Sequence, residues 1–125
     1  MSGKSDKGIL TGNVDTIELS PADYSIVTDV GGNFEGPQGR WALLCAPEDD
    51  RALTRVGIFH CEPHRIEVPL QSDELMYMLE GEVRIDLDDG TVVELGTGDM
   101  AVLPKDRQIT LTYKTPCKQM FVTVK

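Results

Sequence analysis

The residues best able to move a proton at neutral pH lie together in Phe59-His60-Cys61-Glu62-Pro63-His64-Arg65, which holds both histidines of the chain. Histidine is the side chain whose ordinary titration falls in the physiological range. His60 and His64 are four residues apart, a spacing that shares one face of a helix, but the run is extended and interrupted by Pro63, so the two need not converge. Both read as loop or surface histidines, with the alternative that His60, beside Cys61, reaches a pocket mouth as an acid or base. A nucleophilic Cys61 requires a base and an electropositive setting. Cys45, Cys61 and Cys117 otherwise read as small buried hydrophobes, because three is an odd count and no pair has CxxC or metal-knuckle spacing. Tyr77 and Tyr113 read as core aromatics, Tyr24 as a lid residue, and Trp41 as core or a contact between subunits. Arg65 and Arg84 are the cations best placed to neutralise a carboxylate or hold an acidic ligand. The glycine-rich run 31–40 could present backbone N–H groups to an anion. Phosphate cradles lead into a helix N-terminus, however, and nothing helical follows Arg40, so a flexible or lid-like connection is expected.

Strands must position these side chains. Val83-Arg84-Ile85-Asp86-Leu87 is apolar at every second residue, Asp88-Asp89-Gly90 supplies turn chemistry, and residues 91–95 return, which is the pattern of a β-hairpin. Gly96-Thr97-Gly98-Asp99 punctuates, residues 100–103 are apolar, Pro104-Lys105-Asp106 breaks the run, and residues 109–113 alternate again. A last strand is expected over 119–124, with earlier ones over 16–19, 41–45, 54–61 and 65–68. No window carries a helical stripe. About ten short strands with regular turn signals predict an all-β sandwich or barrel.

The chain has 125 residues, room for one compact domain, and its 12 Lys and Arg against 21 Asp and Glu leave a formal net charge of −9. That balance argues against a nucleic-acid partner. With 40% apolar residues the sequence can bury a core. Residues 1–13 read as a flexible tail without the apolar run of a secretory signal, no stretch is long and apolar enough for a membrane helix, and a cytoplasmic location is expected.

The segment 73–104 resembles the cupin superfamily. The first cupin motif closes with Glu, six residues and Gly, as Glu74 and Gly81 do, and the second opens with Gly, five residues and Pro, as Gly98 and Pro104 do. The resemblance covers about 54–124 and is nearest to the branch of ethanolamine-utilisation cupins and (S)-ureidoglycine aminohydrolase. It implies a single cupin-type jelly-roll β-barrel over 14–125, a small-molecule ligand, and a homodimer in which the apolar run 41–46 is a contact. Cupin metal sites usually take two His and a Glu from the first motif and a His from the second. Here the paired positions hold Glu67 and Pro69, or Val68 and Leu70 under the shorter spacing, and Ile109 stands in the second motif; Asp106 replaces the usual Gly. The departures imply no transition metal and no other cofactor, with a Glu-rich metal site as the alternative.

In a cupin the Glu of the first motif points into the barrel. By strand alternation Met76 and Met78 share the face of Glu74, while Leu75, Tyr77 and Leu79 take the other. A carboxylate among methionines should titrate high unless a cation pairs with it, which suits a general acid or base. The resemblance puts Glu67 at the first missing ligand, where it forms a carboxylate pair with Glu74 or remains a solvated strand residue. The expected site is therefore Glu74, Glu67 and His60 for acid–base chemistry such as isomerisation, dehydration or hydrolysis, in a pocket lined by Met76, Met78, Tyr113, Ile109 and Cys61. The alternative is a binding module without catalysis.

Overall fold

The computed structural model describes residues 8–125; the expected flexible tail falls largely on residues 1–7, outside the described residues. Among the described residues, eleven strands, an α-helical turn and a 3-10 turn follow in the order β1 (Ser20–Pro21), α1 (Ser25–Thr28), β2 (Asn33–Glu35), β3 (Arg40–Cys45), the 3-10 turn Pro47–Asp49, β4 (Leu53–Cys61), β5 (His64–Pro69), β6 (Glu74–Glu80), β7 (Val83–Leu87), β8 (Val92–Leu95), β9 (Met100–Leu103), β10 (Gln108–Tyr113) and β11 (Cys117–Val124). They form two antiparallel sheets, ordered β1-β3-β4-β11-β6-β9 and β2-β5-β10-β7-β8. This is the all-β cupin jelly roll that the alternating pattern and the resemblance imply. The hairpin of β7 and β8 pairs Val83 with Leu95 and Asp86 with Val92.

The core lies between the sheets, because side chains of one parity along each strand meet there. In the six-stranded sheet, Phe121 of β11 stands opposite Met76 of β6 and Gly57 of β4. In the facing sheet, Leu111 of β10 stands opposite Ile66 and Ile85. Met76, Met78, Val83, Ile85 and Ile109 are completely buried, each contributing roughly 1.5–3 kcal/mol of burial energy.

Several elements differ from expectation. Residues 16–19 do not form a strand: the Asn13 side chain accepts the Asp15 N–H and its carbonyl accepts those of Thr16 and Ile17, winding the chain into a turn before β1. The glycine-rich run is not simply a loop, since Asn33–Glu35 pairs with Glu67, Ile66 and Arg65 of β5. The run 41–46 is divided between core and surface, with Leu43, Leu44 and Ala46 half-buried. Trp41 turns inward and stacks on Phe121 with ring centroids 6.3 Å apart, while Ala42 and Cys45 are buried. Asp106, where cupins usually have Gly, adopts φ +66°; aspartate is one of the few residues that tolerates this left-handed conformation. Its N–H bonds the Leu70 carbonyl, and Leu70 N–H bonds the Arg107 carbonyl, tying β5 to β10 below the turn.

Gly81, by contrast, has no substitute. Its φ is +101°, and a Cβ there would lie 2.5 Å from the Pro116 carbonyl oxygen. Gly81→Ala is expected to lower unfolding stability by about 2–3 kcal/mol, since both backbone strain and a steric clash apply, whereas Asp106→Gly should change it by less than about 1 kcal/mol. Urea denaturation of both variants checks the contrast.

Candidate functional site

Three neighbouring strands place a polar row on the inner face of the six-stranded sheet. Thr123 of β11 is the cross-strand partner of both Arg55 on β4 and Glu74 on β6. Because directly opposed residues project to the same side, all three side chains enter one cavity of about 390 Å³ between the sheets. That is at the small end of ligand pockets, which start near 300 Å³. Its walls are apolar, with Trp41, Phe59, Ile66, Val68, Leu111 and Phe121 among them, and Asp23, Tyr24 and Lys125 stand at its border.

The electrostatics of the row follow from this mixture. Burial pushes the Glu74 carboxyl up from 4.5 to about 7, with the Arg55 charge pulling weakly the other way. Among the described residues the Glu74 carboxyl has no hydrogen-bond partner, and the buried hydroxyls of Thr54 and Thr123 have none either. Buried polar atoms without partners are uncommon and costly. Two of them, beside the half-buried Glu74 carboxyl, border one small cavity and mark a place that a polar ligand would satisfy.

A second polar group closes the other wall. Tyr113 O–H donates to Gln119 Oε1 at 3.0 Å, and the His64 ring stacks on Tyr113 with centroids 5.0 Å apart and an interplanar angle of 9°. His64 Nδ1 lies 2.9 Å from the Glu62 carbonyl and its Nε2 2.7 Å from the Tyr24 hydroxyl. The consistent assignment has Nδ1–H donating to the carbonyl and Tyr24 O–H donating to Nε2, while the Tyr24 oxygen accepts the Gly39 N–H at 2.9 Å. Burial pushes His64 down and Tyr24 up to about 12, so both stay neutral near pH 7. This chain pins the segment around α1 over the cavity.

The expected site residues separate. Glu74 and Tyr113 line the cavity. Met76, Met78 and Ile109 are completely buried and Cys61 is buried among them, forming the core beside the cavity instead of its lining. Burial pushes the Cys61 thiol well up, opposite to what a nucleophile needs. Glu67 is not brought to Glu74: Ile66 and Val68 take the inward parity of β5, and Glu67 lies outside in an ion pair with Arg65. His60 also points away, on the outer face between its register partners Arg40 and Lys118. Burial first, then those two cations, push its pKa down. His64, expected at the surface, is the buried histidine. Arg65 and Arg84 serve outer carboxylates; the cation of the cavity is Arg55, which sequence reading missed. Its parity with Phe59 along β4 was the available signal.

The donor set does not fit the usual cupin metal. Val68 and Leu70 both line the cavity, so the shorter motif spacing gives the inward positions where imidazoles would stand. Ile109 is the cross-strand partner of Val68. Three apolar side chains thus stand where the cupin resemblance implies nitrogen ligands, and among the described residues no group of three or more His, Cys, Asp or Glu is placed to hold a metal ion. A single carboxylate holds a transition metal poorly.

The family profile described as the EutQ-like cupin domain matches residues 49–121, more than half of the chain. The chain belongs to the EutQ-like cupin domain family. Among solved structures, it is similar to the EutQ protein of Clostridium difficile, at 22% identity over 91% of this chain and 85% of that one, with a TM-score of 0.68. A putative ethanolamine utilization protein Q of Salmonella typhimurium gives 20% identity over 70% of each chain and a TM-score of 0.63. A cupin superfamily protein of Desulfitobacterium hafniense gives 18% identity over 72% and 80%, and 0.61. At these identities the likeness concerns the fold. No curated protein matches. Within the EutQ-like cupin framework, this chain has Glu74, Gly81 and Gly98 at the motif positions and aliphatic side chains at Val68, Leu70 and Ile109.

The raised carboxyl also sets a pH dependence. Folded Glu74 keeps its proton to higher pH than the unfolded chain, so the stability it contributes is complete below about 4.5 and is lost as pH rises through about 7. Glu74→Gln removes this loss. The variant's stability relative to the parent is expected to rise across that window by on the order of 3 kcal/mol and then level off, as urea denaturation at stepped pH would show.

Proposed function

We propose that this EutQ-like cupin binds a small polar molecule between its sheets and that Glu74 exchanges a proton with it. One observation carries the reading: a carboxyl that titrates near 7, without a hydrogen-bond partner among the described residues, faces a cavity of ligand size. Proton transfer is most effective when the group titrates near the working pH, since both protonation states are then populated. Glu74 Oε would give or take the proton, the Thr54 and Thr123 hydroxyls would orient the reacting group, and the apolar walls would limit water. Isomerisation, dehydration or hydrolysis all use such a step.

A ligand-binding module without turnover is the second reading, and one observation favours it. Tyr24, Tyr113 and Cys61 are pushed up and His64 is pushed down, which moves each of them away from neutrality and from Glu74. With a ligand found by thermal-shift screening of metabolites, Glu74→Gln is expected to retain binding within a few-fold and to lose at least about a hundredfold of turnover. Chemically unaltered ligand with the parent protein would decide for the binding module.

The same reading places the protein in the cytoplasm, where its three free thiols stay reduced, and pairs it as a homodimer. Across β6, β9 and β11 the outer parity carries Leu75, Tyr77, Met100, Val102, Met120 and Val122, apolar throughout, with Met100 and Val102 68% and 69% exposed. Contiguous apolar surface of this kind supports a protein contact. Replacing Met100 and Val102 together by Glu is expected to halve the mass measured by light scattering while leaving the circular dichroism spectrum unchanged.

A further inference from the structure

The chain has six arginines, and five are engaged. Arg40 donates to the Leu19 carbonyl and Arg51 to that of Gly8; Arg65 pairs with Glu67, Arg84 with Asp86, and Arg107 with Asp88 and Asp89. Among the described residues, Arg55 alone has neither a hydrogen bond nor an ion pair within 4 Å. It is also the one arginine that lines the cavity. A guanidinium presents five donors in a fixed fork that matches a carboxylate in a bidentate pair. In a chain of net charge −9, an arginine that feels Glu74 and Asp23 only through their charge, without a direct ion pair to either, and that faces a cavity with two unpartnered hydroxyls is an anion seat.

We propose that the cavity takes a small monocarboxylate with an apolar body, its head on the Arg55 guanidinium and the Thr54 and Thr123 hydroxyls, its body against Trp41, Phe59 and Phe121. The assignment rests on reading the cavity as a ligand site and names the class of ligand. Beyond the polar row the body of a ligand meets Trp41, Phe59 and Phe121, while the Tyr113 and Tyr24 hydroxyls across the cavity already donate to Gln119 and His64, so a single charged end with an apolar remainder fits best. An ammonium ligand would meet Arg55 and be repelled.

The groups that face Glu74 decide the pH response. Arg55 approaches from β4, Thr123 from β11 and Leu103 from β9, with Tyr113 across on β10; Asp23, which also feels the Arg55 charge, and Lys125 line the same cavity. Protonated Glu74 is neutral and can donate its O–H to the ligand carboxylate. Ionised Glu74 repels it. Binding should therefore take up a proton and weaken as pH rises through the titration of Glu74.

The test uses benzoate, benzylamine and benzyl alcohol, one apolar body with three heads, followed by the fluorescence of Trp41, the single tryptophan, and by calorimetry. Benzoate is expected to bind most tightly, with affinity falling about tenfold between pH 6 and pH 8. Arg55→Met should weaken it at least about tenfold, Arg55→Lys several-fold because charge remains without the fork, and Glu74→Gln should keep it while flattening the pH dependence. Thermal unfolding establishes that each variant folds; if Arg55→Met does not, Arg55→Lys decides. Equal or tighter binding of benzylamine or benzyl alcohol, or unchanged benzoate affinity in the Arg55 variants, overturns the carboxylate assignment and leaves the cavity as a ligand site for another class. Failure of all three probes to bind overturns the assignment together with the reading it rests on.

Discussion

Glu74 cannot leave the interior without turning Met76 and Met78 out with it. The two-residue period of β6 ties one carboxyl to two completely buried methionines, and exposing both would cost about as much as the whole domain's margin of stability allows. The acid is thus held in an apolar setting by neighbours that have no chemistry of their own. Its high titration point is a consequence of that packing: the ionised form is the costly one, and Arg55 offsets only part of the cost.

From this constraint the rest of the site takes its character. Cross-strand register aligns Thr123 and Arg55 with Glu74, so polarity is gathered into one row of the six-stranded sheet. The opposite wall is aliphatic through Val68 and Leu70, backed by the buried Ile109. The polar groups of the cavity are therefore an acid, a guanidinium and two hydroxyls on the six-stranded sheet. The aromatic group of Tyr24, His64 and Tyr113 then has a supporting role. Its hydrogen bonds run from Gly39 through Tyr24 to His64 and the Glu62 carbonyl, joining the α1 segment to the strands.

Turn chemistry shows how closely local backbone needs follow the framework even where side chains have changed. Gly81 answers both a positive φ and a close carbonyl, leaving no room for another residue. Asp106 meets the same conformational demand at an open site, where a side chain is tolerated, and so could replace glycine without altering the turn.

Fold class, the hairpin of β7 and β8, the turn residues and the inward direction of Glu74 were legible in the sequence, because each depends on alternation or turn preference within a few neighbouring residues. The family was legible for the same reason, since its motifs are turn and strand signals at fixed spacing. The partners of Glu74 were not. Which strand lies beside β6, and in what register, depends on pairings between residues up to about seventy positions apart along the chain, and only those pairings bring Arg55 and Thr123 to the acid. Parity also had to be counted from the right residue: one step along β5 separates Glu67 outside from Val68 inside, and one step along β4 separates His60 outside from Phe59 inside. Sequence alone determined that a carboxyl would point inward; the tertiary structure decided what it faces, because contacts across a sheet belong to register and not to spacing along the chain.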